Sequence, residues 1–508
     1  MPDPSAVTWF PSWVDRAHLR SFDLFAPDRP DLAHRGERPE PARWPAVAEG
    51  LRAARSRLAG LPVAAIIDVI DRVCTQWTDR EFPHRLAARR RIVAATGFSP
   101  EAVDRSLDVE LANYRRATLY ATLRRELGDP AVLDRFRPDP ELAGRTRAHG
   151  PEITGVILTG NVPGLPALPI IRALLVKSAV IAKVASGEPA FAAAFVASLA
   201  EVAPALADAV VVTYWRRDDH GSLDAVLGVA DAVIAYGGAE ACRAIRARLR
   251  PEHRYVEHPH TFSAGVLTQR YLAERGLAGT AAAVARDVAT FNQHACIAPQ
   301  AYLVEEGEHS PRRFAEVLAA AMAADAEGHP LGELSDRAAA AAALQRTADV
   351  WRAATDESSW STWTSAGFDW TVVLAPDLPE SGGGNRVIRV VPVRTAGAAV
   401  DLLRPVGARL QNIGLGATGA QFRELAERFA AAGASRICEP GRMAEPSMMW
   451  RHDGMPCVAG LVRWCDIEMH QESRASEEDD DGPDRPDSAR VSEASRHRRS
   501  DRLHAARR

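Results

Sequence analysis

Between residues 153 and 238, short β-branched runs alternate with alanine-rich stretches: ITGVILTG, AVIAKVAS, AFAAAFVASLAEVA, DAVVVTYWR, LDAVLGVA and DAVIAYGG. A strand that is apolar along its whole length must be covered on both faces, and strands joined through helices run parallel. The alternation therefore predicts an α/β fold built on a parallel sheet with helices on both sides. Ligands of such sheets sit outside the C-terminal ends of the strands, so residues just past each strand are the first candidates for chemistry.

The chain has 508 residues, too many for one ordinary core, and two or three domains are expected. Residues 1–150 read as an N-terminal, mostly helical region, with patterns such as EAVDRSLDVELANYRRATLYATLRREL after a Pro-, Arg- and Asp-rich start. Residues 151–265 form the first α/β unit. Residues 266–400 mix helices (PRRFAEVLAAAMAADA) with strands (QAYLVEE, TVVLAP, RVIRVVPV) and read as a second one, which 401–471 completes. The stretch 472–508 has almost no apolar residue and carries an acidic block followed by a basic one, so it is predicted to be a disordered tail.

Hydrophobic residues at 46%, charged residues at 25% and a net charge of −4 give no footing for nucleic acid or an anionic membrane, and point to a small-molecule partner. The longest uncharged stretch, 153–171, is interrupted by Pro163, Pro166 and Pro169 and by glycines, which excludes a membrane helix. The first residues lack the pattern of a secretory signal, so a cytoplasmic location is expected. Six cysteines without a CxxC pair fit a reducing compartment.

Four stretches could carry chemistry. In LTGNVPGLPALPIIRALLVKSAVIAKVAS (158–186), Asn161 lies just past a strand, where its amide can face a cleft, and Lys183 ends the next strand. In VIAYGGAEACRAI (233–245), Gly237 and Gly238 stand between strand and helix, where backbone can approach a phosphate. IGLGATGA (413–420) matches GxGxxG but lacks an acidic residue at the right distance on a following strand, so it is not read as a dinucleotide loop. RYVEHPHTFSAGVL (254–267) holds Glu257, His258 and His260. With His253 and Cys296 they fit no recurring zinc spacing, and no metal is expected.

Cys296, in FNQHACIAPQAYLVEEG, is preceded by the polar run Asn292-Gln293-His294 and followed by a proline-containing turn. A free cysteine is ordinarily a core residue, and the other five are read that way. The flanks of Cys296 suit a bend with an exposed sulfur, and a nucleophilic thiolate there would need oxyanion donors, of which Asn161 could be one.

These stretches, in this order over roughly 150–470, resemble the aldehyde dehydrogenase superfamily, and within it the acyl-CoA reductases of the LuxC type. TGNVPG resembles the superfamily's oxyanion asparagine at Asn161, IAKVAS its ribose-binding lysine at Lys183, AYGGAE its second glycine turn at Gly237 and Gly238, and NQHACIAPQ its catalytic cysteine at Cys296. The closing HDG and leucine-valine-arginine run is similar to the C-terminus of the LuxC-type branch. The Glu-Leu-Gly-Gly-Lys stretch of hydrolytic members becomes Glu257-His258-Pro259-His260, which keeps the glutamate without its glycines.

The resemblance implies an aldehyde-dehydrogenase-like fold: a Rossmann-type nicotinamide-binding domain at 151–265 and a catalytic domain at 266–400. It also implies NADPH, or NADH, as cofactor, and reduction of a fatty acyl thioester, on coenzyme A or a carrier, through an acyl-Cys296. Glu257 would line the site without being needed for reduction. A homo-oligomer and an acyl-activating enzyme as partner belong to the same expectation. Two other readings stay open: a thiol acyltransferase that uses the same cysteine without nicotinamide, and a non-catalytic scaffold of this fold.

Overall fold

A computed structural model describes residues 6–26, 29–379 and 384–468. The tail expected at 472–508 lies outside the described residues.

Five parallel strands form one sheet in the order Val210–Thr213, Ala179–Lys183, Ile153–Ile157, Ala232–Tyr236, Arg254–His258. The direction of strand addition reverses around Ile153–Ile157, and a crevice opens at its C-terminal end between the turns that carry Asn161 and Gly237. All residues of Ala232–Tyr236 and of Val210–Thr213 are buried, as continuous apolar runs require.

The N-terminal region is not a separate body. Helices Trp44–Ala59, Val63–Thr78, Pro83–Thr96, Pro100–Ala112 and Arg116–Leu127 bury Leu51, Ile66, Trp77 and Leu107 in the same apolar core as Val156, Ile181 and Val211 of the sheet. The hairpin Leu19–Ala26 and Arg29–Pro39 precedes them.

The second sheet has seven strands, in the order Ser361–Thr364, Thr371–Leu374, Val387–Val393, Ala301–Glu305, Phe262–Leu267, Leu410–Gly416, Arg436–Cys438, parallel except at the first pair. Side chains alternate between its faces: Tyr302 and Val304 join one cluster, Ala301 and Leu303 the other. Phe262–Leu267, which straddles the expected boundary at 265/266, is a central strand here, so the chain changes sheets between His258 and Phe262.

The glycines of IGLGATGA lie mostly in the fully buried strand Leu410–Gly416. A Cβ on Gly414 would sit 2.6 Å from Met443 Sδ, so the small residue answers to close packing rather than to a phosphate. A third, antiparallel sheet pairs Gly144–His149 with Arg137–Asp139 and with Arg463–Glu468.

Candidate active site

Cys296 lies in the loop that enters strand Ala301–Glu305. Three consecutive residues upstream, Phe291, Asn292 and Gln293, have φ of 58°, 50° and 63°. That left-handed run is costly for residues other than glycine and persists only where its surroundings over-determine it. The polar run does this. Asn292 Oδ1 accepts from Arg386 Nη2 at 2.7 Å, its Nδ2 donates to Leu331 O at 3.0 Å, and Gln293 Nε2 donates to Val387 O at 2.7 Å. Both side chains are buried, so they anchor the loop instead of making a polar surface around an exposed sulfur. Ser263 Oγ donates to the Cys296 carbonyl at 2.7 Å, and Cys296, half-buried, lines a cavity of about 310 Å³.

Asn161, Gly237 and Gly238 line that cavity with Cys296. Asn161 Nδ2 donates to His294 O at 2.6 Å, which ties the turn after the first strand to the nucleophile loop and leaves the second amide hydrogen free. Its Oδ1 accepts from Thr159 Oγ1. A Cβ built on Gly238 meets nothing within 4 Å, so the space over the start of helix Ala239–Arg246 is open. Val162, Leu165, Met448 and Trp450 give the cavity an apolar wall.

Lys183 stands apart from that cavity. Its ammonium lies 5.2 Å from the Tyr214 ring, and burial lowers its pKa to about 8. Tyr214 also faces a second cavity, beside Arg216 and Arg217. Glu188, two residues before helix Ala190–Val202, is buried; Oε1 accepts from Ala190 N and Phe191 N, and Oε2 has no partner.

Glu257 departs from expectation. It does not line the cavity; its carboxylate accepts from Arg246 Nη2 at 2.5 Å. Along Arg254–His258 the residues alternate, and His258, not Glu257, faces inward.

His452, which faces the sulfur, entered the sequence reading only as part of the closing HDG. His452 Nε2 lies 4.0 Å from Cys296 Sγ. Its ring is held between Trp450, at 4.6 Å between centroids, and His258, at 4.0 Å. His258 Nδ1 is 2.9 Å from Asp453 Oδ2, and Gln411 Nε2 donates to Asp453 Oδ1 at 2.6 Å. Donor atoms of His258, His452 and Asp453 fall within 4.8 Å of one another, but both Asp453 oxygens already have these protein partners. Burial, then the Asp453 charge, pushes the Cys296 thiol up to about 12, and burial holds His258 and His452 well below the usual imidazole range. The same burial favours the neutral thiol and neutral imidazoles over their charged forms.

The profile of the acyl-CoA reductase (LuxC) family matches residues 58–464. The chain belongs to that family. Among its relatives is the long-chain acyl-protein thioester reductase of Aliivibrio fischeri, 26% identical over 239 residues, which are 46% of this chain and 49% of that one. The enzyme of the same name from Photorhabdus luminescens is 27% identical over 239 residues, 46% and 48% of the two chains. This LuxC-family chain thus spans about half the length of the curated relatives it matches. Its fold is that of the aldehyde dehydrogenases. An oxidoreductase from Marinobacter aquaeolei superposes with a TM-score of 0.67 at 14% identity, covering 91% of this chain and 97% of that one. A NAD-dependent benzaldehyde dehydrogenase from Corynebacterium glutamicum gives 0.63 at 15%, covering 90% and 100%.

Proposed function

We propose that the protein reduces a fatty acyl thioester to the aldehyde through an acyl group carried on Cys296. The observation that carries this reading is the meeting of Cys296, the Asn161 amide and the Gly237-Gly238 turn on one largely apolar cavity at the sheet's C-terminal edge. Membership of the acyl-CoA reductase family and the names of the relatives support it.

The residues fit a nicotinamide dinucleotide. Lys183 is a half-buried cation whose one contact of note is the Tyr214 ring, and Glu188 Oε2 is a buried acceptor without a partner. Lys183 ends the second strand, Glu188 comes after it, and both would hold ribose hydroxyls. Gly237 and Gly238 would admit a pyrophosphate to the start of helix Ala239–Arg246. Arg216 and Arg217, beside Tyr214, are ion-paired with Asp218 and Glu240, so a 2′-phosphate of NADPH would have to compete with those carboxylates for them. When bound, the reduced nicotinamide supplies the hydride.

The protein's part is to bind and polarise. The Cys296 sulfur attacks the thioester carbonyl, and the free Asn161 N–H stabilises the oxygen as it becomes an anion. Loss of the thiol leaves acyl-Cys296. After reduction the thiohemiacetal collapses to aldehyde, with the apolar wall of Val162, Leu165 and Met448 keeping water from the acyl carbon. Placing Glu257 on Arg246, away from the sulfur, favours reduction over hydrolysis.

In this reading the strands from Ile153 to His258 form the cofactor unit and the seven-stranded sheet the catalytic one. The edge strand Arg463–Glu468, with Trp464 and Ile467 each 39% exposed, supports self-association. The test is a panel of acyl-CoAs of increasing length with NADPH or NADH, with the aldehyde measured directly. Aldehyde formed only when both substrates are present supports the reading. Release of CoA and free acid alone would refute it.

A further inference from the structure

We propose that His452 accepts the Cys296 proton as the sulfur attacks and returns it to the departing thiolate, with His258 and Asp453 as its positioning residues. The proposal rests on the reductase reading above.

Attack by a thiol needs somewhere for its proton to go. Glu257 is held by Arg246, and both Asp453 oxygens are engaged, one by His258 and the other by Gln411. Among the described residues, His452 Nε2, 4.0 Å from the sulfur, is the basic nitrogen that reaches it. The gap is long for a hydrogen bond, as catalytic contacts often are before substrate binds. Stacking between Trp450 and His258, at 30° and 27° to the two planes, fixes the imidazole so that this nitrogen keeps facing the cavity.

Asp453 has φ of 56°, a left-handed conformation that aspartate tolerates better than most residues but that still costs energy. In that conformation its Oδ2 lies 2.9 Å from His258 Nδ1 and 3.7 Å from His452 Nε2. It thus orients one ring and supplies counter-charge when the other becomes a cation. The groups around His452 are Cys296, His258, Asp453 and Trp450, with the Arg172 guanidinium and the Tyr236 ring behind them. Burial first, and more weakly the Arg172 guanidinium, disfavour a cation on His452, so proton transfer accompanies attack.

The balance is complete. The S–H bond breaks, its electron pair forms the S–C bond, and the proton goes to Nε2. The C–S bond to the leaving thiol then breaks, and its sulfur takes that proton. After the hydride step, the Cys296 thiolate regains a proton from solvent through the same nitrogen, so one proton is consumed per aldehyde.

The test follows acylation of Cys296 by tetradecanoyl-CoA without cofactor, read by intact-protein mass spectrometry from pH 6 to pH 10. His452→Gln should slow acylation at neutral pH by about 10²–10⁴-fold. The remaining rate should climb about tenfold per pH unit, as free thiolate takes over. His452→Phe keeps a ring between Trp450 and His258 and should behave alike, which separates loss of the nitrogen from loss of packing. Asp453→Asn should shift the pH at which the rate rises, a change that loss of packing alone would not give. A wild-type rate and pH profile in both His452 variants would overturn the proposal. No adduct on unmodified protein would instead overturn the reductase reading beneath it.

Discussion

Glu257 and His258 are neighbours in the chain and face opposite ways: the carboxylate pairs with Arg246 at 2.5 Å, while the imidazole stacks on His452 beside Cys296. The family resemblance centred on the glutamate, but strand alternation hands the inward position to the histidine. The carboxylate is thereby turned away from the sulfur, and two imidazoles stand in the site.

Glu257→Gln should therefore keep at least about a tenth of the reduction rate, a loss of no more than about one pKa unit's worth of free energy. Aldehyde and free acid measured from one acyl-CoA decide it. Loss of aldehyde with normal folding would mean that the carboxylate swings into the site during turnover.

Asn161→Ala should lower turnover by roughly 10²–10³, the usual cost of one oxyanion donor. Because the same amide holds His294 O at 2.6 Å, a small drop in melting temperature should accompany it. A drop in melting temperature with turnover per folded molecule unchanged would reduce Asn161 to a structural tie.

The nucleophile loop depends on Asn292, which tolerates φ of 50° and accepts two hydrogen bonds from the buried Arg386. Asn292→Ala removes the acceptor and the polar side chain that makes the left-handed region tolerable for this residue. The expected loss is roughly 2–4 kcal/mol, combining an unsatisfied buried donor with the backbone cost. Denaturant unfolding measures it, and a change below about half a kcal/mol would show that the loop is held by other contacts.

In the proposed reading Lys183 should carry the pH dependence of cofactor binding. Burial brings its pKa down to about 8, so in the free protein it is charged below that pH and neutral above it. An anionic ligand stabilises the charged form, so affinity is full below pH 8 and falls as pH rises past it. Titrating NADPH fluorescence at pH 7 and pH 9.5 should show weaker binding at the higher pH, and Lys183→Met should abolish the difference. An equal pH effect in the variant would assign it elsewhere.

The five-stranded sheet was legible because each of its inner strands is covered on both faces and so reads as an unbroken apolar run. Asn161, Gly237 and Cys296 were legible because each sits at a strand end or a bend, where a local pattern marks it. The closing HDG marked His452 and Asp453 as family sequence but gave neither a chemical role. They lie far along the chain from Cys296, and only the fold brings them to the sulfur. The inward face of RYVEH was readable from its alternation, since Val256 and His258 are buried while Tyr255 and Glu257 are not, but the resemblance drew attention to the glutamate. The strand Gly144–His149 was hidden by its arginines, because a half-exposed strand in a small sheet shows no apolar run.

The central claim is that Cys296 carries the acyl group. Incubating the protein with tetradecanoyl-CoA in the absence of cofactor, followed by peptide mass spectrometry, should show one adduct, on the peptide containing Cys296. Adding NADPH should discharge it as tetradecanal, and Cys296→Ser should form neither adduct nor aldehyde while folding normally. An adduct on another cysteine, or aldehyde formation that survives in Cys296→Ser, would contradict the account.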